Sequence, residues 1–451
     1  MLVEGWLARA AATQPERVAL QTPSGSWSYA QLEAAAHAGA GELAARGAAA
    51  GERVGIALAP GLHFAQALHA CLLLGAVAVP IDLRLAAPES ARIAGGCAFV
   101  IEHPLTCEQP PADTRDGRLA GAAHHGFRHD LDAVAAVIHT SGTTAAARPV
   151  ELTYGNFLWS ALGSAVALGL DPGERWLCAL PVSHVGGLSI LLRSAIYATT
   201  AVVHERFDTD RVLASLRADG VTLVSLVATT LDRLLDAGLQ RPPALRCALT
   251  GGGPVPPALL ERAREAGVPV SLTYGLTESC SQATTTPLAE VSAAAASAGP
   301  PLFCTRVRIA ADSEILLRGP TVAPAASATD GWLHTGDLGG LDESGRLHVS
   351  GRKADTIVTG GENVAPAEVE AVLEAHPRVA EAAVVGRPDE RWGEAVTAWV
   401  RPRDGAALDF AELDAHCSGA LAPYKIPKHY TATQRPLPRT PSGKLLRREL
   451  R

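Results

Sequence analysis

The 451-residue chain reads as an α/β protein of mostly parallel sheets flanked by helices, followed by a small α+β unit. Two observations predict this. Up to about Tyr274, apolar runs of strand length alternate with longer helical patterns, as in a parallel sheet covered on both faces. After Val307 the texture changes to short strands and turns, which reads as a small antiparallel or barrel-like subdomain over about 300–351. Length allows roughly two to three domains. Hydrophobic residues at 47% and charged residues at 19% suit a globular chain with a sizeable core.

The elements follow in order. Ser28 opens an Ala-rich helix with Leu32, Ala36 and Leu43 on one face. Val54 to Leu58 reads as a strand, Phe64 to Leu74 as a helix and Ala76 to Pro80 as a strand. Leu131 to Ile138 and Val150 to Thr153 are strands around a hydroxyl-rich loop. Helices are expected over Tyr154–Leu168 and Leu188–Tyr197. Strands are expected over 175–181, 200–204, 221–227, 247–251 and 268–274. The polar break Gly351 to Asp355 marks a domain boundary, giving units of 1–351 and 352–451 with a hinge near 352–355. In the second unit, Ala367 to Ala375 reads as a helix and Ala382 to Gly386 as a strand.

Composition excludes some partners. The net charge of −7 favours neither nucleic acid nor an anionic membrane, and only the Lys444–Arg451 tail is basic. The eight cysteines form no CxxC and are expected to be reduced and structural, in a cytoplasmic setting. His124, His125 and His129 read as a surface loop rather than a metal site. No export signal and no membrane span is expected.

Five stretches carry candidate chemistry. Thr140-Ser141-Gly142-Thr143-Thr144 can wrap a phosphate oxygen with hydroxyls and backbone N–H groups, or can be a Ser/Thr-rich hairpin turn. Gly251-Gly252-Gly253 lets backbone approach a planar ligand. Tyr274-Gly275-Leu276-Thr277-Glu278 places a ring, a hydroxyl and a carboxylate after a strand, where open α/β sheets bind ligands. His334-Thr335-Gly336-Asp337 offers a carboxylate suited to a ribose diol, and Pro441-Ser442-Gly443-Lys444 a lysine on a turn. Singly, each has a purely structural explanation.

In this order and spacing the five stretches resemble the acyl- and aryl-CoA synthetase, luciferase and peptide-synthetase adenylation superfamily over nearly the whole chain. The resemblance implies a large amino-terminal domain and a small mobile carboxy-terminal lid. It also implies two half-reactions. A carboxylate attacks the α-phosphate of Mg-ATP, giving acyl-adenylate and pyrophosphate; a thiol, usually that of coenzyme A, then displaces AMP.

Carried over, Thr140 to Thr144 and Arg148 would hold the ATP phosphates. Gly251 to Gly253, Tyr274 and Gly275 would frame the adenine. Thr277 would touch the α-phosphate, and Glu278 would hold Mg²⁺. Asp337 and Arg352 would bind the ribose. Lys444 would bridge carboxylate and α-phosphate, His184 would line the route to the acyl group, and Gly360 and Gly361 the path of coenzyme A. The expected partners are thus a small carboxylic acid, ATP and coenzyme A, with the protein a monomer or homodimer.

Within the superfamily, Leu180 to Arg193, Leu249 to Pro254 and Tyr274 to Gln282 resemble the branch that ligates o-succinylbenzoate, in menaquinone biosynthesis, to coenzyme A. Ser189 and Arg193 then become candidate substrate contacts. A guanidinium suits an acid with a second carboxylate, although Arg193 can also be read as a surface cap of its helix. The phosphate loop departs from the family pattern: Ala145-Ala146-Ala147-Arg148 stands where Gly-x-Pro-Lys is usual. Two alternatives stay open: a ligase for another aryl or acyl acid, with Arg193 incidental, and, motivated by the loop departure, a protein with impaired adenylation that binds or uses preformed adenylate.

Overall fold

The computed structural model describes residues 1–106, 128–140, 148–291, 297–403, 406–440 and 445–450. Two sheets dominate the first 290 residues. The smaller runs, edge to edge, Phe99–Ile101, Arg53–Ile56, Val77–Pro80, Val134–Thr140 and Arg148–Thr153; it is parallel apart from the final hairpin. The larger has eight strands: Thr284–Thr285, Val270–Tyr274, Cys247–Thr250, Leu223–Leu226, Arg175–Cys178, Thr200–Val203, Val18–Thr22 and Gly25–Ser28. Its six inner strands are parallel and its two edges antiparallel. The expected α/β class is what the chain adopts.

Helices explain why the sheets hold together. In Leu62–Leu74 every residue from Phe64 to Leu72 is buried, so this largely apolar helix belongs inside the protein. Its one amide, Gln66, donates from Nε2 to the carbonyls of Ala35 (3.0 Å) and Thr106 (3.1 Å), which meets the cost of burying it. Phe64, Leu68 and Cys71 share a core with Trp176, Leu188 and Leu192, which come from the larger sheet and its helix. The opposite face of the larger sheet is covered by Val212, Leu216, Leu231, Leu234 and Leu259. Full burial of such side chains stabilises by about 1.5–3 kcal/mol each.

The helix Tyr154–Leu168 begins abruptly after its strand because of a capping box. Thr153 Oγ1 accepts the Asn156 N–H (3.0 Å), and Asn156 Oδ1 accepts the Thr153 N–H (2.9 Å). A cap of this kind contributes about 1 kcal/mol. Asn156 Nδ2 donates onward to the carbonyls of Pro320 and Val322, at 2.9 and 3.1 Å. The helix is thereby fastened to the four-stranded antiparallel meander Arg306–Ile309, Glu314–Arg318, Leu333–Leu341 and Leu347–Arg352.

From Ile357 onward the chain has its own apolar cluster, centred on Val369, Leu373, Val384, Val396, Ala398 and Leu413. The strands Glu362–Val364, Ile357–Thr359, Gly393–Pro402 and Val379–Asp389 lie side by side, and His429–Ala432 joins at Gly393–Pro402. Pro366–Glu374 and Phe410–Ser418 are the helices of this unit.

Two expectations need correction. His129 does not lie on a surface loop. It is buried in the short strand Arg128–Asp130, accepts the Trp6 N–H on Nε2 (3.2 Å) and stacks on Tyr154. His124 and His125 lie outside the described residues. The second helix around the active region starts at Val185, three residues earlier than expected, with His184 at its N-cap. Among the described residues all the cysteines are free, and Cys71, Cys178, Cys247, Cys280 and Cys417 are buried. No described helix is long and apolar enough to cross a membrane.

Candidate active site

The carboxyl ends of three strands supply much of the site. Val134–Thr140 ends at Thr140, which pairs with Arg148 across the hairpin; Thr140 Oγ1 also donates to the Arg148 carbonyl at 3.3 Å. Both stems of the phosphate-loop candidate are therefore placed, with Arg148 exposed. Ser141, Gly142, Thr143, Thr144 and the alanines that follow lie outside the described residues, as does Lys444.

Cys247–Thr250 delivers Gly251 to Gly253. A Cβ on Gly251 would stand 2.7 Å from the Thr273 carbonyl oxygen, and Gly252 has φ of +80°. The first two glycines are thus required by the fold itself, while Gly253 faces open space. Val270–Tyr274 delivers Tyr274, then a single turn over Thr277–Ser279. Gly275 is forced: a Cβ there would lie 1.6 Å from the Ser281 carbonyl oxygen. The Glu278 carbonyl accepts the Ala323 N–H at 2.8 Å, and the residue is half-buried.

Tyr274, Asp337 and Arg352 converge. Tyr274 Oη donates to Asp337 Oδ2 at 2.8 Å, and Arg352 Nε lies 2.6 Å from Asp337 Oδ1. Burial, with the Asp337 charge adding to it, pushes the Tyr274 phenol well above its ordinary value, so it remains a donor. Gly360 and Gly361, with φ of +60° and +84°, form the tight turn between Ile357–Thr359 and Glu362–Val364.

The acyl-side candidates lie on Val185–Tyr197. Arg193 is not a surface cap: it is 2% exposed. Its Nη2 donates to Ser160 Oγ at 2.9 Å, and its guanidinium lies 5.5 Å from the centre of the Trp176 ring. Arg193 Nε and Ser189 Oγ, one turn apart on this helix, are buried with no hydrogen-bond partner among the described residues.

His184 is half-buried at the N-cap, its Nε2 3.9 Å from Asp82 Oδ2. Burial lowers its pKa, Asp82 opposes that and Arg84 reinforces it. Asp82 also accepts from Ser183 Oγ (3.2 Å) and is gripped by Arg84, with Nε on Oδ1 at 2.8 Å and Nη2 on Oδ2 at 2.5 Å. Burial would raise its carboxyl; the Arg84 side-chain and backbone hydrogen bonds outweigh that and hold it at about 2. Asp82 and Ser160 were not legible as site residues. The available signal for Asp82 was its place just after a parallel strand, Val77–Pro80.

No group of three or more His, Cys, Asp or Glu among the described residues could cage a metal. Glu278 offers a single carboxylate, which suits a Mg²⁺ ion held through one carboxylate and phosphate oxygens.

A strand-end cradle of glycines and a Tyr–Asp–Arg cluster fit a nucleotide-dependent enzyme of the adenylate-forming class. The model described as AMP-binding enzyme matches residues 7–325, and that for the AMP-binding enzyme C-terminal domain matches 368–444. The chain belongs to the AMP-binding enzyme family and is an acid–thiol ligase of the AMP-forming type. The 2-succinylbenzoate–CoA ligase of Bacillus subtilis (strain 168) is 38% identical over 481 residues, covering 100% of this chain and 98% of that protein. The o-succinylbenzoate CoA synthetase of Bacillus subtilis in complex with its acyl-adenylate intermediate superposes with a TM-score of 0.88, at 36% identity, covering 100% of this chain and 98% of that one. The same synthetase with ATP and magnesium ion gives 0.88 at 37% identity and 100% coverage of both chains.

Proposed function

We propose that this protein couples 2-succinylbenzoate to coenzyme A through an acyl-adenylate formed from Mg-ATP. The observation that carries the substrate is the buried pair Ser189 and Arg193. A guanidinium at 2% exposure, with no carboxylate bonded to it among the described residues, is costly unless an anion is brought to it. One of the two carboxylates of 2-succinylbenzoate is such an anion, and the other is left free to react.

The chemistry brings two anions together. Thr140 and Arg148 flank the loop that receives the phosphates, and Thr277 donates to the α-phosphate. Asp337 accepts from the ribose hydroxyls, with Arg352 and Tyr274 keeping its charge and direction fixed. Mg²⁺, when bound at Glu278, neutralises phosphate charge. Lys444 brings an ammonium to the meeting point of carboxylate and α-phosphate. The acyl carboxylate oxygen attacks the α-phosphorus, the bond to the β-phosphate oxygen breaks, and pyrophosphate leaves. The thiol sulfur of coenzyme A, approaching past Gly360 and Gly361, then attacks the acyl carbon and AMP leaves; His184 lines that route.

ATP–pyrophosphate exchange with purified protein tests this reading. Exchange that depends on 2-succinylbenzoate is expected. Exchange only with other acids would remove the substrate while keeping the chemistry. No exchange with any acid would favour a protein that binds preformed adenylate, as the Ala145–Arg148 departure allows.

A further inference from the structure

Ser160 sits at the centre of a chain of buried hydrogen bonds that joins the acyl side of the site to the nucleotide side. It is 1% exposed. It accepts from Arg193 Nη2 at 2.9 Å, and its own hydroxyl donates to the Cys280 carbonyl at 2.6 Å. Cys280 ends the single turn that carries Thr277 and Glu278, its N–H donating to the Thr277 carbonyl at 3.0 Å.

That turn is held in an unfavourable conformation. Cys280 and Ser281 have φ of +52° and +84°, the left-handed region that non-glycine residues rarely occupy and that persists only where the surroundings over-determine it. Three contacts do so. The Ser281 N–H donates to the Leu276 carbonyl at 3.2 Å, Gly275 packs against the Ser281 carbonyl, and Ser160 holds the Cys280 carbonyl. Only the last reaches outside the turn and its own strand. Asn156, one helical turn before Ser160, binds the carbonyls of Pro320 and Val322, beside the Ala323 N–H that holds Glu278. One face of the helix Tyr154–Leu168 therefore braces this turn from two sides.

We propose that Ser160 is a positioning residue of adenylation, through which Arg193 fixes the placement of Thr277 and Glu278. This rests on the reading that Thr277 and Glu278 face Mg-ATP. Recognition of the acid by Arg193 and alignment of the phosphate-side groups then share one hydroxyl. A misplaced acid weakens the brace, and the rate of adenylation depends on correct occupancy of the acyl side.

The test is ATP–pyrophosphate exchange with 2-succinylbenzoate for the parent protein, Ser160→Ala, Ser160→Thr and the double variant Ser160→Ala with Arg193→Met, with thermal unfolding of each. Ser160→Ala is expected to lower kcat by at least tenfold with the KM for the acid within about threefold, while the protein remains folded at the assay temperature. Ser160→Thr, which keeps the hydroxyl, is expected to recover most of kcat. The double variant is expected to have a kcat no lower than the slower single variant, because residues that act as one chain are not additive. Unchanged kcat in Ser160→Ala overturns the proposal, as does a loss that Ser160→Thr shares in full. Absence of acid-dependent exchange in the parent overturns the reading of the site itself, and the proposal with it.

Discussion

Arg352 and Asp337 face each other across paired antiparallel strands, Nε to Oδ1 at 2.6 Å, and the other carboxylate oxygen takes the Tyr274 hydroxyl at 2.8 Å. Asp337 is 5% exposed, so protein donors, these two among them, meet its carboxylate rather than bulk water. Asp337→Asn keeps the shape and removes the charge. It is expected to raise the KM for ATP about tenfold to hundredfold, the equivalent of one charged hydrogen bond of about 1.5–3 kcal/mol. Exchange kinetics at varied ATP check this, and a KM within twofold of the parent would contradict the ribose role.

Arg193→Leu tests substrate recognition through the KM for the acid. The KM for 2-succinylbenzoate should rise at least tenfold while the KM for ATP stays within about threefold. The unfolding temperature should hold or rise, since the substitution removes a buried cation with no acid bonded to it among the described residues. An unchanged KM for the acid would return Arg193 to a purely structural role and leave the substrate assignment without its main support.

What the sequence revealed follows from where each signal lives. Strands such as Val77–Pro80 and Leu223–Leu226 are buried on both faces and read as continuous apolar runs, so the alternation that defines the fold is local and visible. Tyr274 and Arg352 end their strands, whereas Asp337 lies within Leu333–Leu341; all three were legible through short local motifs. Arg193 could be noticed, yet its burial could not. That depends on Ser160, 33 positions earlier, and on Trp176, which only the packing of two helices and a strand brings together. Asp82 and His184 are farther apart still, after strands of different sheets, and no spacing in one chain encodes that meeting. His129 misled because its neighbours are polar. Its burial comes from Trp6 and Tyr154, both distant in sequence.

His69 and His129 make the fold sensitive to acid. Burial lowers both, His69 to about 4 and His129 to about 3, with His69 adding to the shift of His129. Above their ordinary value of 6.5 both folded and unfolded states are neutral. Below it the unfolded chain takes up protons that the folded chain refuses, so stability falls as pH drops from about 6.5 towards 4. A loss of several kcal/mol is expected across that window, at about 1.4 kcal/mol per pH unit per group. Urea unfolding at pH 7 and pH 5 checks it. His129→Gln, which can still accept the Trp6 N–H, should flatten the dependence, and a midpoint equal at both pH values in the parent would refute the burial argument.

Asp82 gives the last prediction, because it touches both the charge and the placement of His184. The carboxylate sits two residues beyond the strand Val77–Pro80 and reaches the N-cap of the helix Val185–Tyr197. Burial and Arg84 push the imidazole towards its neutral form, and Asp82 is the group that opposes them. Asp82→Asn removes that opposition and leaves the Arg84 charge without its partner carboxylate. The His184 pKa should therefore fall further, and the acid limb of the pH profile for thioester formation should move to lower pH by up to about one unit. Stability carries the opposite signature. The Asp82 carboxyl is held at about 2 in the folded protein against 3.8, so its contribution is complete above about pH 4 and disappears as pH falls towards 2. The asparagine variant should lack that acid-dependent loss while being less stable at neutral pH by about 1–2 kcal/mol. A variant whose rate profile and stability profile both overlay the parent would show that Asp82 neither charges nor steers His184.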